Sequence, residues 1–134
     1  MEKLIEQIKN ARFVFICGNG GSAATAEHLT NDLFSKGIKA ICLNSNTSIM
    51  TMIANDFGYD QVFSMQLATY ADYRDLLITI SCSGTSPNIL DALLTASFEE
   101  LDVYQFERLK GKDKDYGRLE DKHMQLVHKI KDAL

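Results

Sequence analysis

The sequence has no excess of basic residues and no long apolar run. Lysine and arginine number 14 against 18 aspartate and glutamate residues, which gives a net charge of −4. Because nucleic-acid binders carry a basic surface, no nucleic-acid partner is predicted. No apolar stretch approaches the ~20 residues of a membrane-spanning helix, and no basic segment followed by an apolar one opens the chain. We therefore predict no membrane partner, no signal peptide and a cytoplasmic location.

Cysteines are few, and their spacing does not suggest a metal knuckle. Cys17, Cys42 and Cys82 form an odd set without closely spaced pairs, so reduced thiols, as in the cytoplasm, are expected. Cys82 lies in a polar loop. It is either a small filler or, because a helix N-terminus lowers the pKa of a thiol, a site sensitive to oxidation.

The pattern of apolar segments predicts the fold class. The chain has 134 residues, of which 46% are hydrophobic, enough for one domain with a core. Apolar runs without alternation are separated by segments of helical spacing, which predicts an α/β fold with a doubly wound parallel sheet and helices on both faces. Strands are expected at 13–17, 38–43 and 75–80, and helices at 2–10, 23–34, 49–55, 63–70, from 87 through at least 94, and at 119–134. Residues 101–106 fit either a fourth strand or a further turn of helix.

Two polar loops, each between a predicted strand and a predicted helix, are the strongest functional signal. The first, Gly-Asn-Gly-Gly-Ser at 18–22, is called the glycine loop here, and the second, Ser-Cys-Ser-Gly-Thr-Ser at 81–86, the serine loop. Free N–H groups at a helix start attract an anion, glycine allows a close backbone approach, and serine hydroxyls donate hydrogen bonds. Ligands of parallel α/β sheets bind at the carboxyl ends of the strands, so both loops are expected to bind the same phosphate.

The glycine loop has two competing interpretations. Gly18-x-Gly20-x-x-Ala23 satisfies a relaxed dinucleotide fingerprint. That fingerprint requires an acidic residue after the second strand, where this chain has Asn44 and its polar neighbours, so a dinucleotide is disfavoured. A tight turn without a ligand would not explain a second hydroxyl-rich loop.

Histidine and carboxylate residues form a second candidate group. His28 and Asp32 are four residues apart, so a helix places them on one face. They could bind a divalent metal or move protons, or they could form an ordinary surface ion pair. His123 and His128 face different directions on the last helix, and His123 is better suited to a packed position.

Several ordered motifs resemble the sugar isomerase (SIS) domain family, in particular its sedoheptulose 7-phosphate (phosphoheptose) isomerase branch. These motifs are Gly-Asn-Gly-Gly-Ser-Ala-Ala at 18–24, Thr-Ser at 47–48, Ile-Ala-Asn-Asp-Phe-Gly at 53–58 and Ser-x-Ser-Gly-x-Ser-Pro-Asn at 81–88. The resemblance implies a phosphosugar ligand, a cytoplasmic aldose/ketose isomerase acting through an enediolate, and a homo-oligomer, a tetramer in the family. Apolar residues of the first and last helices are expected to support such packing.

The resemblance also implies roles for individual residues. Phosphate contacts would come from Ser22, Ser81, Ser83 and Ser86, with Gly20, Gly21 and Cys82 in the same loops. The sugar site would include Asn19, Thr47, Asn55 and Asp56, although Asp56 could also cap a helix. A divalent metal, with zinc favoured, would be held by His28, Asp32, Glu120 and His128. Asp32 and His128 are the candidate catalytic acid and base, in an order left open.

The chain departs from the family pattern at identifiable places. Asp32 stands where the family has glutamate, and Glu120 where it has glutamine. We predict one SIS-like domain over 1–134, with 98–115 as an atypical connection that shortens the sheet by one or two strands. These departures leave open an alternative, a catalytically inactive SIS-type regulator or adaptor that binds a phosphosugar.

Overall fold

Four parallel strands form one sheet in the order β2-β1-β3-β4. The computed structural model describes all 134 residues. The strands are β1 (Val14–Gly18), β2 (Ala40–Cys42), β3 (Leu76–Ile80) and β4 (Asp102–Gln105). The helices are α1 (Glu2–Asn10), α2 (Gly21–Ser35), α3 (Thr47–Asp56), α4 (Ser64–Tyr70), α5 (Pro87–Phe98) and α6 (Tyr116–Ala133), with a short 3-10 turn at Tyr59–Gln61.

The two central strands explain the apolar runs without alternation. Every residue of β1 and β3 is buried, because helices cover both faces of the sheet. These strands are neighbours in register, with Val14 opposite Leu76 and Gly18 opposite Ile80. The carboxyl ends of both strands therefore lie side by side, with the glycine loop and the serine loop directly after them.

Each face of the sheet has its own core. On one face, α1, α2 and α6 contribute Leu4, Leu29 and Val127 to the buried apolar cluster. On the other, α3, α4 and α5 contribute Ile53, Leu67 and Ala92. The doubly wound parallel architecture predicted from the sequence is thus confirmed.

The segment after α5 adds a fourth strand. Of the two possibilities for 101–106, the strand is correct, since β4 pairs in parallel with β3 along Asp102–Gln105. Beyond β4 the chain turns back towards the serine loop, where the Leu109 N–H donates to the Cys82 carbonyl at 2.8 Å. Asp115 then starts α6, its carboxylate accepting from the Arg118 N–H at 3.2 Å.

The apolar residues of the first and last helices are used in the core. Leu4 and Ile8 of α1 and Val127 and Ile130 of α6 are all at most 2% exposed. These four residues therefore pack within the chain itself, and the packing of these helices in an oligomer stays a prediction. None of the helices is long and apolar enough to cross a membrane.

Candidate functional site

The glycine loop and the serine loop line one pocket at the carboxyl ends of β1 and β3. The pocket has a volume of about 160 Å³. Ser22 and Ser83, which come from different strand–helix junctions, both lie in its wall. The complete lining is Asn19, Ser22, Ser81, Cys82, Ser83, Ser86, Tyr116 and Glu120.

The glycine loop is tight enough to require glycine. A Cβ at Gly18 would lie 2.6 Å from the Ser22 carbonyl oxygen and 2.8 Å from that of Ile80. Gly20 has a φ of +57°, in the left-handed region that glycine favours, and α2 begins at the next residue. The first turn of α2 therefore starts at the pocket, where the positive end of the helix dipole favours a negative charge.

Two asparagine side chains hold the glycine loop in place. Asn44 accepts from the Gly18 N–H at 3.1 Å and donates to the Gly18 carbonyl at 2.6 Å. Asn19 and Asn88 exchange two hydrogen bonds of 2.8 and 2.9 Å, and the Tyr59 hydroxyl also donates to Asn19 at 3.1 Å. Asn44 lies after the second strand, at the position where a dinucleotide site would need an acidic residue. Its side chain is instead bonded to the backbone of Gly18.

The serine loop presents hydroxyl groups whose oxygens accept local backbone bonds. Ser81 Oγ accepts from the Gly84 N–H at 2.9 Å, and Ser83 Oγ accepts from the Thr85 N–H at 3.2 Å. A hydroxyl that accepts in this way still has its own proton to donate. Ser86 precedes α5 without capping it through its side chain, and Pro87 takes the first helical position. The loop thus has donors available for an anion.

Glu120 introduces a negative charge into this pocket. Its carboxylate lies against the glycine loop, where a Cβ at Gly21 would be 2.7 Å from Glu120 Oε1. Burial raises the pKa of the Cys82 thiol, the Glu120 charge raises it further, and a hydrogen bond with Ser22 opposes both. The raised pKa makes Cys82 a protonated filler at neutral pH and removes the argument for an activated thiolate.

Three of the expected sugar-site residues lie outside the pocket. Thr47 is the exposed first residue of α3. Asn55 and Asp56 are exposed at the other end of that helix, where the Asn55 amide donates to the Asp56 carboxylate at 2.8 Å. Their contacts with a sugar stay predictions.

A second group of polar side chains forms where α2 packs against α6. His28 Nε2 is 3.4 Å from Asp32 Oδ2, and Lys131 Nζ is 3.0 Å from Asp32 Oδ1. The ring centroids of His28 and His128 are 5.5 Å apart at an angle of 60°. Asp32 is 1% exposed, and its Oδ2 accepts no hydrogen bond. We call His28, Asp32, His128 and Lys131 the helix-pair cluster.

The four expected metal ligands do not assemble into a metal site. No group of three or more histidine, cysteine, aspartate and glutamate residues has the geometry to hold an ion. Glu120 faces the pocket, whereas His128 lies eight residues further along α6, a rise of about 12 Å. Zinc binds its ligands at about 2 Å, and a lysine ammonium group already contacts Asp32. The set does not fit a four-ligand zinc site in this arrangement.

Sequence reasoning missed several residues of this region. Lys131 is one of several lysines that alternate with acidic residues near the end of the chain, so nothing local marked its ion pair. Arg108 packs over the serine loop, where a methyl group at Gly84 would collide with its side chain. By contrast, His123 is buried as expected, with its Nε2 2.7 Å from the Glu107 carbonyl oxygen.

An open parallel sheet with a hydroxyl-lined pocket at the carboxyl ends of adjacent strands defines the class of protein, an α/β ligand-binding fold. The SIS domain family model matches residues 1–106. The chain therefore belongs to the SIS domain family.

Similar proteins place the chain on the phosphoheptose isomerase branch of that family. The phosphoheptose isomerase of Helicobacter pylori (strain P12) is 35% identical over 98% of this chain and 78% of its own length. That of Aliarcobacter butzleri (strain RM4018) is 44% identical over 69% of this chain, but the match spans only 52% of that protein. The solved phosphoheptose isomerase of Neisseria gonorrhoeae superposes with a TM-score of 0.88 at 30% identity, covering 98% of this chain and 80% of its own.

Proposed function

We propose that this protein is a sugar phosphate isomerase that interconverts a sedoheptulose 7-phosphate-like ketose and the corresponding aldose. The observation that carries the proposal is the single pocket formed by the glycine loop and the serine loop. Backbone N–H groups and hydroxyls of Ser22, Ser81, Ser83 and Ser86 would hold the phosphate. Binding the phosphate away from the reacting carbons fixes the position of those carbons.

The helix-pair cluster is proposed to carry out the proton transfers. A base removes a proton from C1 of the ketose, and the electrons form the enediolate. The proton of the C1 hydroxyl moves to the C2 oxygen, and a proton returned to C2 completes the aldose, so C1 is oxidised and C2 reduced. His28 follows Ser22 by six residues on α2, a rise of about 9 Å. The imidazoles of His28 and His128 are exposed, and a seven-carbon chain anchored at the serines is proposed to extend to them.

Asp32 is proposed to act in this chemistry through His28. Its carboxylate is buried, with the unbonded Oδ2 3.4 Å from His28 Nε2. A buried carboxylate beside an imidazole orients the ring and stabilises its protonated form. This role through His28 suits the burial of Asp32 better than direct contact with a substrate. Because the expected ligands do not fit zinc, no step is assigned to a metal.

Assembly and location are also part of the proposal. We propose a homo-oligomer within the cytoplasm, with residues 1–134 as one domain. Leu90, Leu94 and Phe98 form an exposed apolar stripe on α5, at 48%, 59% and 80% exposure. Such a stripe is suited to burial between subunits. Light scattering should show an oligomer that Leu94→Glu weakens, and a monomeric wild type would contradict this part. The three cysteines are all free, in keeping with a reducing compartment.

Turnover by the purified protein tests the main proposal. With sedoheptulose 7-phosphate, proton NMR should show an aldose phosphate and, in deuterated water, exchange at C1. His128→Ala should abolish turnover while leaving substrate binding largely intact, whereas Gln125→Ala, an exposed position on the same helix, should not. Binding without exchange or turnover would instead support a phosphosugar-binding regulator or adaptor.

A further inference from the structure

Asp32 is a buried carboxylate that forms an ion pair with a lysine of its own chain. It is 1% exposed, and an ionised carboxylate removed from water requires a compensating charge. Lys131 supplies one, with its ammonium 3.0 Å from Asp32 Oδ1. Lys131 lies in the last turn of α6, where the helix dipole also favours a positive charge.

The position of this ammonium conflicts with that of a metal ion. Zinc bound at about 2 Å to Asp32 Oδ1 would lie within about 5 Å of Lys131 Nζ, and zinc bound to Oδ2 within about 7 Å. Two cations at such a separation repel each other strongly where water is partly excluded. Of the remaining nearby groups, the His28 imidazole lies beside Asp32 Oδ2, and the His128 ring packs against that of His28.

We propose that Lys131 supplies in this chain the positive charge that a metal would supply at Asp32, so that the helix-pair cluster works without zinc. Lys131 is a positioning residue. It neutralises one oxygen of the Asp32 carboxylate and leaves the other directed towards His28. The inference rests on the proposed function, because it concerns the proton-transfer part of the same site.

Zinc binding to the metal-stripped protein tests this inference. Zinc alone is titrated in competition with a chromophoric chelator, and the wild type should bind it only weakly. Lys131→Met, which keeps a long apolar stem but removes the charge, should bind zinc at least about tenfold more tightly, within the range seen when groups around a metal site are changed. Lys129→Met, two residues away and exposed on a different side of α6, should behave like the wild type.

Two further measurements test the inference even if Lys131→Met does not fold. Lys131→Arg keeps the charge and should show no gain in zinc affinity, with turnover partly retained. The wild type should keep its turnover in the presence of a strong chelator. Stoichiometric, tight zinc binding by the wild type, or loss of its turnover to the chelator, would overturn the inference whatever the variants do.

Phosphosugar binding separates this inference from the proposed function. If the stripped wild type binds sedoheptulose 7-phosphate but shows no turnover until zinc is added, Lys131 does not replace the metal and the isomerase proposal stands. If it binds no sugar phosphate with or without zinc, the proposed function fails instead. Even then, weak zinc binding by the wild type together with tighter zinc binding by Lys131→Met would support the inference that Lys131 supplies the positive charge at Asp32.

Discussion

Two aspartates of this protein are equally buried, yet their surroundings differ in kind. Asp75 and Asp32 are both 1% exposed. Both oxygens of Asp75 are fully bonded: Oδ1 accepts from Arg12 Nε and the Phe13 N–H at 3.0 Å, and Oδ2 from the Asp72 N–H at 2.8 Å. Asp32 has an ion pair on one oxygen and no hydrogen bond on the other.

The difference separates a carboxylate that holds the fold from one that is available for chemistry. Asp75 joins the start of β3 to the residues before β1, so its bonds are used in connecting the chain. A buried carboxylate oxygen that no protein group bonds is open to a further partner, whereas the oxygens of Asp75 are not. The contrast can be tested by removing each charge separately.

Replacing Asp32 should give the largest effect, on turnover. Asp32→Asn keeps the shape of the side chain but removes the charge that orients and stabilises the His28 imidazole. We expect kcat to fall by about 10²- to 10⁴-fold, with a thermal unfolding midpoint close to that of the wild type. Steady-state kinetics and calorimetry measure the two quantities. A variant with wild-type kcat would remove Asp32 from the mechanism.

Replacing Asp75 should give the next largest effect, on stability instead. Asp75→Ala leaves the backbone N–H groups of Phe13 and Asp72 without their acceptor, for a loss of about 2–4 kcal/mol in the free energy of unfolding. Urea unfolding measures this loss. At a temperature where the variant is folded its kcat should equal that of the wild type. A fall in kcat as large as that of Asp32→Asn would erase the distinction between the two aspartates.

A smaller effect is expected at the pocket, on the affinity for the sugar phosphate. Ser83→Ala removes one hydroxyl donor to the phosphate and should raise the Kd for the sugar phosphate about tenfold, as for one hydrogen bond to a charged group. Ser97→Ala, an exposed serine at the far end of α5, provides the matched control. Calorimetric titration gives both values, and equal Kd values would remove Ser83 from the phosphate site.

The smallest effect is expected from Glu120, and its direction is opposite. Glu120→Gln removes a negative charge from a pocket proposed to bind a dianion, so the Kd should fall about two- to fivefold. The same change should lower the pKa of Cys82 and thereby speed its alkylation at fixed pH. Weaker binding of the sugar phosphate by this variant would mean that Glu120 contacts the sugar directly.

The sequence predicted the parts of this molecule that depend on neighbouring residues. The strands β1 and β3, the two loops and the order of helices follow from local periodicity and turn chemistry. Residues 101–106 could not be assigned, because four half-exposed residues become a strand only by pairing with β3.

The sequence predicted only part of the helix-pair cluster. The spacing of His28 and Asp32 placed them on one face, but the burial of Asp32 and its pairing with Lys131 result from the packing of α2 on α6. Such long-range contacts have no local pattern. The apolar residues of α1 and α6 were likewise expected to support subunit packing, and the sequence did not show that Leu4, Ile8, Val127 and Ile130 lie in the core of the chain itself.

The exchange of hydrogen bonds between Asn19 and Asn88 links the glycine loop to the first turn of α5, directly after the serine loop, and Asn44 bonds the backbone of Gly18. A ligand would thus enter a cradle whose shape is already set, and little chain ordering would accompany its capture. Free and loaded forms should then share almost the same backbone, and selectivity among sugars would come from what fits this rigid cradle.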